Sequence, residues 1–210
     1  MAVKIFPSIL NVPKADIQKV IDQLSGFVDG ISVDVMDGQF VPPTSFTVDD
    51  FAQWNIPIFC EVHLMVQHPE LWIEGFARAG ADLITIHFEA EQASVEETLK
   101  KIHSLGCQSG LALKPKTSVQ DVPVHLWDLV DVPLIMSVEP GWGGQAFLPQ
   151  VLEKVRYLRE RYPSKDINID GGITPETARL AREAGCTILV AGSSVFKSPD
   201  YRVAVDLLRD

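Results

Sequence analysis

Short apolar runs rich in β-branched residues alternate along this chain with longer amphipathic stretches, at intervals of roughly 25 residues, close to the spacing of strand-then-helix units. The pattern predicts strands over 4–10, 30–35, 58–63, 82–87, 109–113, 134–138, 167–170 and 187–191. Leu83-Ile84 and Ile188-Leu189-Val190 are apolar at consecutive positions, as strands covered on both faces require. Between the strands the period changes. Ile17, Val20, Ile21 and Leu24 fall on one helical stripe, and Val151, Val155, Leu158 and Tyr162 on another. Ser94-Val95-Glu96-Glu97 reads as a capping box, and Thr174-Pro175 as an N-cap followed by proline at the first helical position. Ala79-Gly80-Ala81, Leu105-Gly106-Cys107 and Ala184-Gly185-Cys186 each place a helix-ending glycine just before a strand.

No linker, low-complexity tract or break in composition divides the chain, so residues 1–210 are expected to form one domain. Repeated strand–helix units on this scale leave two architectures, a closed barrel or an open doubly wound sheet. The open sheet normally carries glycines after its first strand. Here that position reads Ser8-Ile9-Leu10-Asn11-Val12-Pro13, with none. The glycines come late, in Asp170-Gly171-Gly172 and Ala191-Gly192-Ser193-Ser194, where barrels bind phosphate with the loops after strands seven and eight. The expected fold is therefore α/β, a single-domain (β/α)8 TIM barrel, with a small phosphorylated molecule held at the C-terminal ends of its strands.

Composition narrows the partners. Hydrophobic residues make up 46% of the chain and charged residues 22%, enough for a sizeable core. Lys and Arg number 18 against 28 Asp and Glu, a net charge of −10. With no basic run, nucleic acid is excluded as a partner. A phosphate remains admissible, because backbone amides can hold it locally. No apolar run is long enough to span a bilayer, and the segment 1–7 is expected to be neither a signal peptide nor an anchor. Cys60, Cys107 and Cys186 read as free thiols, which points to the cytoplasm.

Ser8, Asp34, His63, His87, Ser137 and Asp170 lie at predicted strand ends, which in a barrel converge on one mouth. Two carboxylates and one or two imidazoles in one pocket make an acid/base or a metal site. Asp170 is followed by two glycines, as close backbone approach to a ligand requires. The glycines around Trp142 in Ser137-Val138-Glu139-Pro140-Gly141-Trp142-Gly143-Gly144-Gln145 suggest a loop over the mouth.

Pro7-Ser8-Ile9-Leu10, Val33-Asp34-Val35-Met36-Asp37-Gly38, His63-Leu64-Met65-Val66, Met136-Ser137-Val138-Glu139-Pro140-Gly141, Asp170-Gly171-Gly172 and Ala191-Gly192-Ser193 occur in that order and at that spacing in the ribulose-phosphate 3-epimerase family, which the chain resembles over essentially its whole length. The resemblance implies interconversion of D-ribulose 5-phosphate and D-xylulose 5-phosphate, with Asp34 and Asp170 as catalytic residues. It implies substrate contacts from Ser8 and His63, and phosphate contacts from Gly144, Gly171, Gly172, Gly192 and Ser193. Met36, Met65 and Met136 match a methionine cluster above the reacting carbon, and Gly141, Trp142 and Gly143 belong to the loop over it. One divalent metal ion (Zn, Fe, Mn, Co or Mg) is expected on Asp34, His63 and Asp170, and the family resemblance favours a homo-oligomer.

The pattern breaks at two places. Ser32 stands where the family has its first metal-ligand histidine, and Gln39 where it has a histidine after Asp-Gly. A serine hydroxyl is a poorer ligand than imidazole for zinc, cobalt or iron, so the site is expected to be weakened or changed in preference. Two other readings accompany the epimerase: a related barrel enzyme acting on another ketose phosphate, and a sugar-phosphate-binding protein that has lost turnover. His68, His103 and His125 are expected at the surface.

Overall fold

The computed structural model describes residues 3–91 and 93–210. Met1 and Ala2, which begin the segment read for a leader peptide, lie outside the described residues. The alternating pattern becomes eight parallel strands: β1 (Lys4–Pro7), β2 (Gly30–Met36), β3 (Phe59–Met65), β4 (Leu83–His87), β5 (Gln108–Leu113), β6 (Val132–Met136), β7 (Asn168–Asp170) and β8 (Ile188–Ala191). They pair in the order β1-β8-β7-β6-β5-β4-β3-β2. The two ends of this ladder meet through a single parallel bridge, Ser8 to Ser32, so the barrel is nearly closed and its seam is pinned at the mouth.

The helices are α1 (Ile17–Leu24), α2 (Val48–Phe51), α3 (Ile73–Arg78), α4 (Val95–Ser104), α5 (Val124–Leu129), α6 (Leu152–Arg161), α7 (Pro175–Ala184), α8 (Ser193–Phe196) and α9 (Tyr201–Arg209). α1 buries Ile17, Val20, Ile21 and Leu24, the stripe its spacing predicts. Each such side chain contributes about 1.5–3 kcal/mol of apolar burial. Thr174 caps α7 with Pro175 in its first turn, and Ser94 caps α4 by accepting the Glu97 N–H. Gly80, Gly106 and Gly185 take φ of 104°, 84° and 115°, the left-handed turn that ends a helix before the next strand. Cys60, Cys107 and Cys186 are buried and free.

Strand limits differ from expectation by more than one residue in three strands. β1 ends at Pro7 rather than at residue 10, because Ser8 accepts the Leu10 N–H and caps a 3-10 turn, Ile9–Asn11. β3 runs on past His63 to Met65, because β2 beside it continues in register to Met36. β6 begins at Val132 and ends at Met136, earlier than predicted at both ends, and Pro133 lies within the strand. Ser137 thus falls just beyond β6.

Inside the barrel, side chains from alternating strand positions form layers. Toward the N-terminal ends Phe6, Leu83, Val132 and Ile188 make an apolar plug with Phe59, and Val190 continues the cluster up to the level of Asp170. Gly30 leaves room for the plug, since a Cβ there would lie 2.8 Å from the Phe6 ring. Above the plug, the buried carboxylate of Glu61 accepts from Thr85 Oγ1 at 2.7 Å and from Asn168 Nδ2 at 2.8 Å, spanning the lumen from β3 to β7. Higher again, at the C-terminal ends, the side chains become chemically active.

Candidate active site

Asp34 on β2 pairs in register with His63 on β3, which sets the two side chains side by side. His63 Nδ1 lies 2.9 Å from Asp34 Oδ1 and 3.7 Å from Asp170 Oδ2 on β7. Ser8 Oγ donates to the other Asp34 oxygen at 2.5 Å. Donor atoms of Asp34, His63 and Asp170 all lie within 4.8 Å of one another, so this group has the spacing to hold a metal ion. The far nitrogen of the same ring, His63 Nε2, is 2.9 Å from His87 Nε2, and His87 Nδ1 is 3.4 Å from Glu89 Oε2.

Burial and charge compete across this cluster. Burial, reinforced by the negative charge of Asp34, pushes the Asp170 carboxyl up to about 8. Burial alone would lower His63, but the hydrogen bond and charge of Asp34 outweigh it and hold the imidazole above its ordinary value. For His87 burial wins, and its pKa falls to about 4. Burial would raise Glu89, yet hydrogen bonds from His87, Thr117 and the Lys114 N–H bring it down to about 2. Burial raises Glu61.

A cavity of about 570 Å3, counting its open mouth, sits above this group. Ser8, Asp34, Asp170, Met65 and Met136 form its floor and walls. Gly141, Trp142, Gly143 and Gly144 border it on one side, and Gly171, Gly172, Gly192 and Ser193 on the other. Two residues singled out in the sequence stand behind the lining. His63 is 1% exposed, and Met36 packs with Val41 and Met65 against Leu10 and Phe40. Trp142 is 53% exposed at the rim.

The Asp170-Gly171-Gly172 turn shows why glycine is needed twice. Gly171 has φ 117°, and a Cβ would meet Val138 Cγ2 at 2.4 Å; Gly172 has φ 62°, and a Cβ would meet the Phe147 nitrogen at 2.6 Å. Ser137, grouped with the chemistry at first, turns out to brace this turn, its Oγ donating to the carbonyls of Asp170 and Gly171 at 2.9 and 2.6 Å. Ser32 shares the Asp34 face of β2, two residues nearer the plug. Its Oγ is buried with no hydrogen-bond partner among the described residues.

His68, His103 and His125 lie at the surface beside Glu70, Asp131 and Glu96. Glu89, Glu61 and Asn168 were not singled out as site residues. The His87-x-Glu89 spacing was visible, but the loop that turns Glu89 back onto the ring was not.

Residues 4–196 match the model of the ribulose-phosphate 3 epimerase family. A relative from Oryza sativa subsp. japonica, "Ribulose-phosphate 3-epimerase, cytoplasmic isoform", is 37% identical over 99% of this chain and 93% of its own. The ribulose-phosphate 3-epimerase of Bacillus subtilis (strain 168) is 36% identical over 99% of this chain and 98% of its own. Among solved structures, a 3-hexulose-6-phosphate synthase superposes with a TM-score of 0.72 at 15% identity, covering 99% of this chain and 98% of that one. The 3-keto-L-gulonate-6-phosphate decarboxylase of Vibrio cholerae gives 0.70 at 17% identity over 100% and 96%. At those identities the likeness is one of fold.

Proposed function

The chain belongs to the ribulose-phosphate 3-epimerase family, and from that premise we propose that Asp34 and Asp170 are the two residues that move its substrate's proton. The protein is an epimerase that interconverts D-ribulose 5-phosphate and D-xylulose 5-phosphate. One observation carries the assignment of roles. The two carboxylates, from β2 and β7, line a single cavity edged by glycines.

The C3 hydrogen of the substrate is acidified by the neighbouring C2 ketone. A carboxylate on one face takes that proton, the electron pair of the C–H bond moves into the C2–C3 bond, and an enediolate results. A carboxylic acid on the opposite face then returns a proton to C3 and the ketone re-forms with the centre inverted. This needs one base and one acid at the start, exchanging roles in the reverse direction. Asp34, which accepts from Ser8 and faces His63, is assigned the base. Asp170, driven up by burial and by Asp34, holds a proton near neutral pH.

Asp34, His63 and Asp170 would hold a divalent ion, which when bound places positive charge beside the developing oxyanion. Their spacing and their donor chemistry fit such an ion. The Ser32 hydroxyl beneath Asp34, without a hydrogen-bond partner among the described residues, supports the reading that a small polar group stands in place of the family's histidine. These three donors would hold such an ion at least about 10-fold less tightly than four would. The oxygen-rich set moves preference toward manganese or magnesium.

The phosphate is assigned to backbone amides of Gly144, Gly171, Gly172, Gly192 and Ser193, a local solution in a chain of net charge −10. Two fold neighbours are named for phosphorylated sugars or sugar acids, which supports a sugar phosphate in this cavity. Met65 and Met136, with Met36 behind them, give the reacting carbon a water-poor, polarizable cover. Gly141, Trp142 and Gly143 form the rim. Three buried, free thiols support a cytoplasmic location, and no helix among the described residues is long and apolar enough to cross a membrane. The assignment is tested by assaying conversion of ribulose 5-phosphate with Asp34→Asn and Asp170→Asn. Both should lose it while keeping the fold; retention of full activity by either would remove that residue from the mechanism.

A further inference from the structure

The pair of imidazole nitrogens facing each other at 2.9 Å, His63 Nε2 and His87 Nε2, admits one hydrogen between them. Which ring carries it is decided at the far side of His87. There the partner of Nδ1 is Glu89, a carboxylate, which can only accept. Glu89 is itself fixed, its Oε1 taking the Lys114 N–H at 2.7 Å. A neutral His87 therefore carries its proton on Nδ1 and offers a lone pair at Nε2. His63 must then be the donor in the bridge. Aromatic packing also holds the His87 ring in place. The Phe40 ring lies against it at 4.7 Å between centroids, and Lys114 Nζ sits 3.8 Å from the centre of the Phe40 ring.

The geometry points to His87 and Glu89 as positioning residues: they keep the proton of His63 on Nε2 and aim its Nδ1 into the space between Asp34 and Asp170. The inference rests on the reading of Asp34, His63 and Asp170 as a cation site. Nδ1 faces Asp34 Oδ1 at 2.9 Å, and with Nε2 committed to His87 it is the nitrogen left for a cation. The ring need not turn over, because its tautomer is set before the ion arrives. Hydrogen bonds of this kind orient metal-binding imidazoles and raise their basicity, and losing one typically costs about 10–100-fold in metal affinity.

Glu89→Gln reverses the chain with minimal change in shape. The single amide oxygen is claimed by the Lys114 N–H, so the amide NH2 faces His87 Nδ1 and turns it into an acceptor. His87 then donates from Nε2, and His63 is left with a bare Nε2 and a proton on Nδ1, where the ion should bind. Nitrogen-15 NMR of the histidine rings reads this directly, in the metal-free protein and with Zn2+ alone. Wild type should show His87 protonated at Nδ1 and His63 protonated at Nε2 in both states. Glu89→Gln should show the reverse and bind Zn2+ about 10–100-fold more weakly in a chelator competition, whereas Glu89→Asp, which keeps the carboxylate, should recover part of that loss. A wild-type His87 protonated at Nε2 with Nδ1 bare would overturn the proposal whether or not the variants fold. So would a Glu89→Gln protein with unchanged tautomers and Zn2+ affinity. If wild type fails to bind Zn2+ at all, the cation reading falls, and the metal-free spectrum alone decides the relay.

Discussion

The two ends of the barrel interior are made by the same strands and differ by only two to four residues of climb. At the N-terminal end β4 contributes Leu83 and β8 contributes Ile188 to the apolar plug. At the C-terminal end β4 contributes His87, β2 Asp34 and β3 His63, all buried. Between them lies a polar layer in which Glu61 accepts from Thr85 and Asn168, while Asn168 Oδ1 has no partner among the described residues. The plug lowers the free energy of the folded state by removing apolar surface from water. The mouth raises it, by keeping carboxylates and imidazoles close together and out of water. Stability at one end thus supports reactivity at the other.

This division can be broken from either end, and the largest effect belongs to the mouth. Asp170→Asn or Asp34→Asn should lower kcat by about 10²–10⁴-fold, read by initial rates, with circular dichroism unchanged. Leu83→Ala should do the opposite. Deleting that buried side chain should cost about 2–5 kcal/mol in denaturant melts, with kcat held within a small factor. A comparable loss of activity and stability from either change would mean that the two ends are not separable.

Ser32→His sharpens the comparison by moving chemistry one layer down. It should raise divalent-ion affinity about 10-fold or more, measured by competition with a chromophoric chelator. No gain would mean that an imidazole at this position does not reach the ion. The smallest effect expected is on pH. Asp170, raised from 3.8 to about 8, binds its proton more tightly folded than unfolded, so its contribution to stability is full below the unfolded value and is lost as pH rises through about 8. His63, also raised, acts in the same sense. His87, lowered to about 4, acts oppositely, but only between about 6.5 and 4. Metal-free protein should therefore melt at lower temperature as pH rises from neutral to alkaline, and a bound divalent ion, which offsets the Asp34 charge that helps raise Asp170, should flatten that trend.

Much of the frame was legible because it is local. The α1 stripe, the Thr174-Pro175 start and the glycine stops at residues 80, 106 and 185 are fixed within a turn or two of chain. Asp34, His63 and Asp170 were legible as strand-end residues, and the barrel gathers strand ends. What stayed hidden depends on groups far apart in sequence. Ser8 reads as strand until its hydroxyl is seen to cap the next turn and reach Asp34. Ser137 looks like a ligand-facing group until it is seen bracing Gly171. The bond from Asn168 to Glu61 crosses the lumen between β7 and β3, and no periodicity announces it.

The central claim is that two acids flank C3, each handling a different proton. It is tested most directly by converting ribulose 5-phosphate in heavy water and sampling early. Xylulose 5-phosphate formed in the first turnovers should carry deuterium at C3, while unreacted ribulose 5-phosphate remains unlabelled. Product that keeps the original hydrogen at C3 would mean that one group carries the proton across both faces, and the pairing of Asp34 with Asp170 would be wrong.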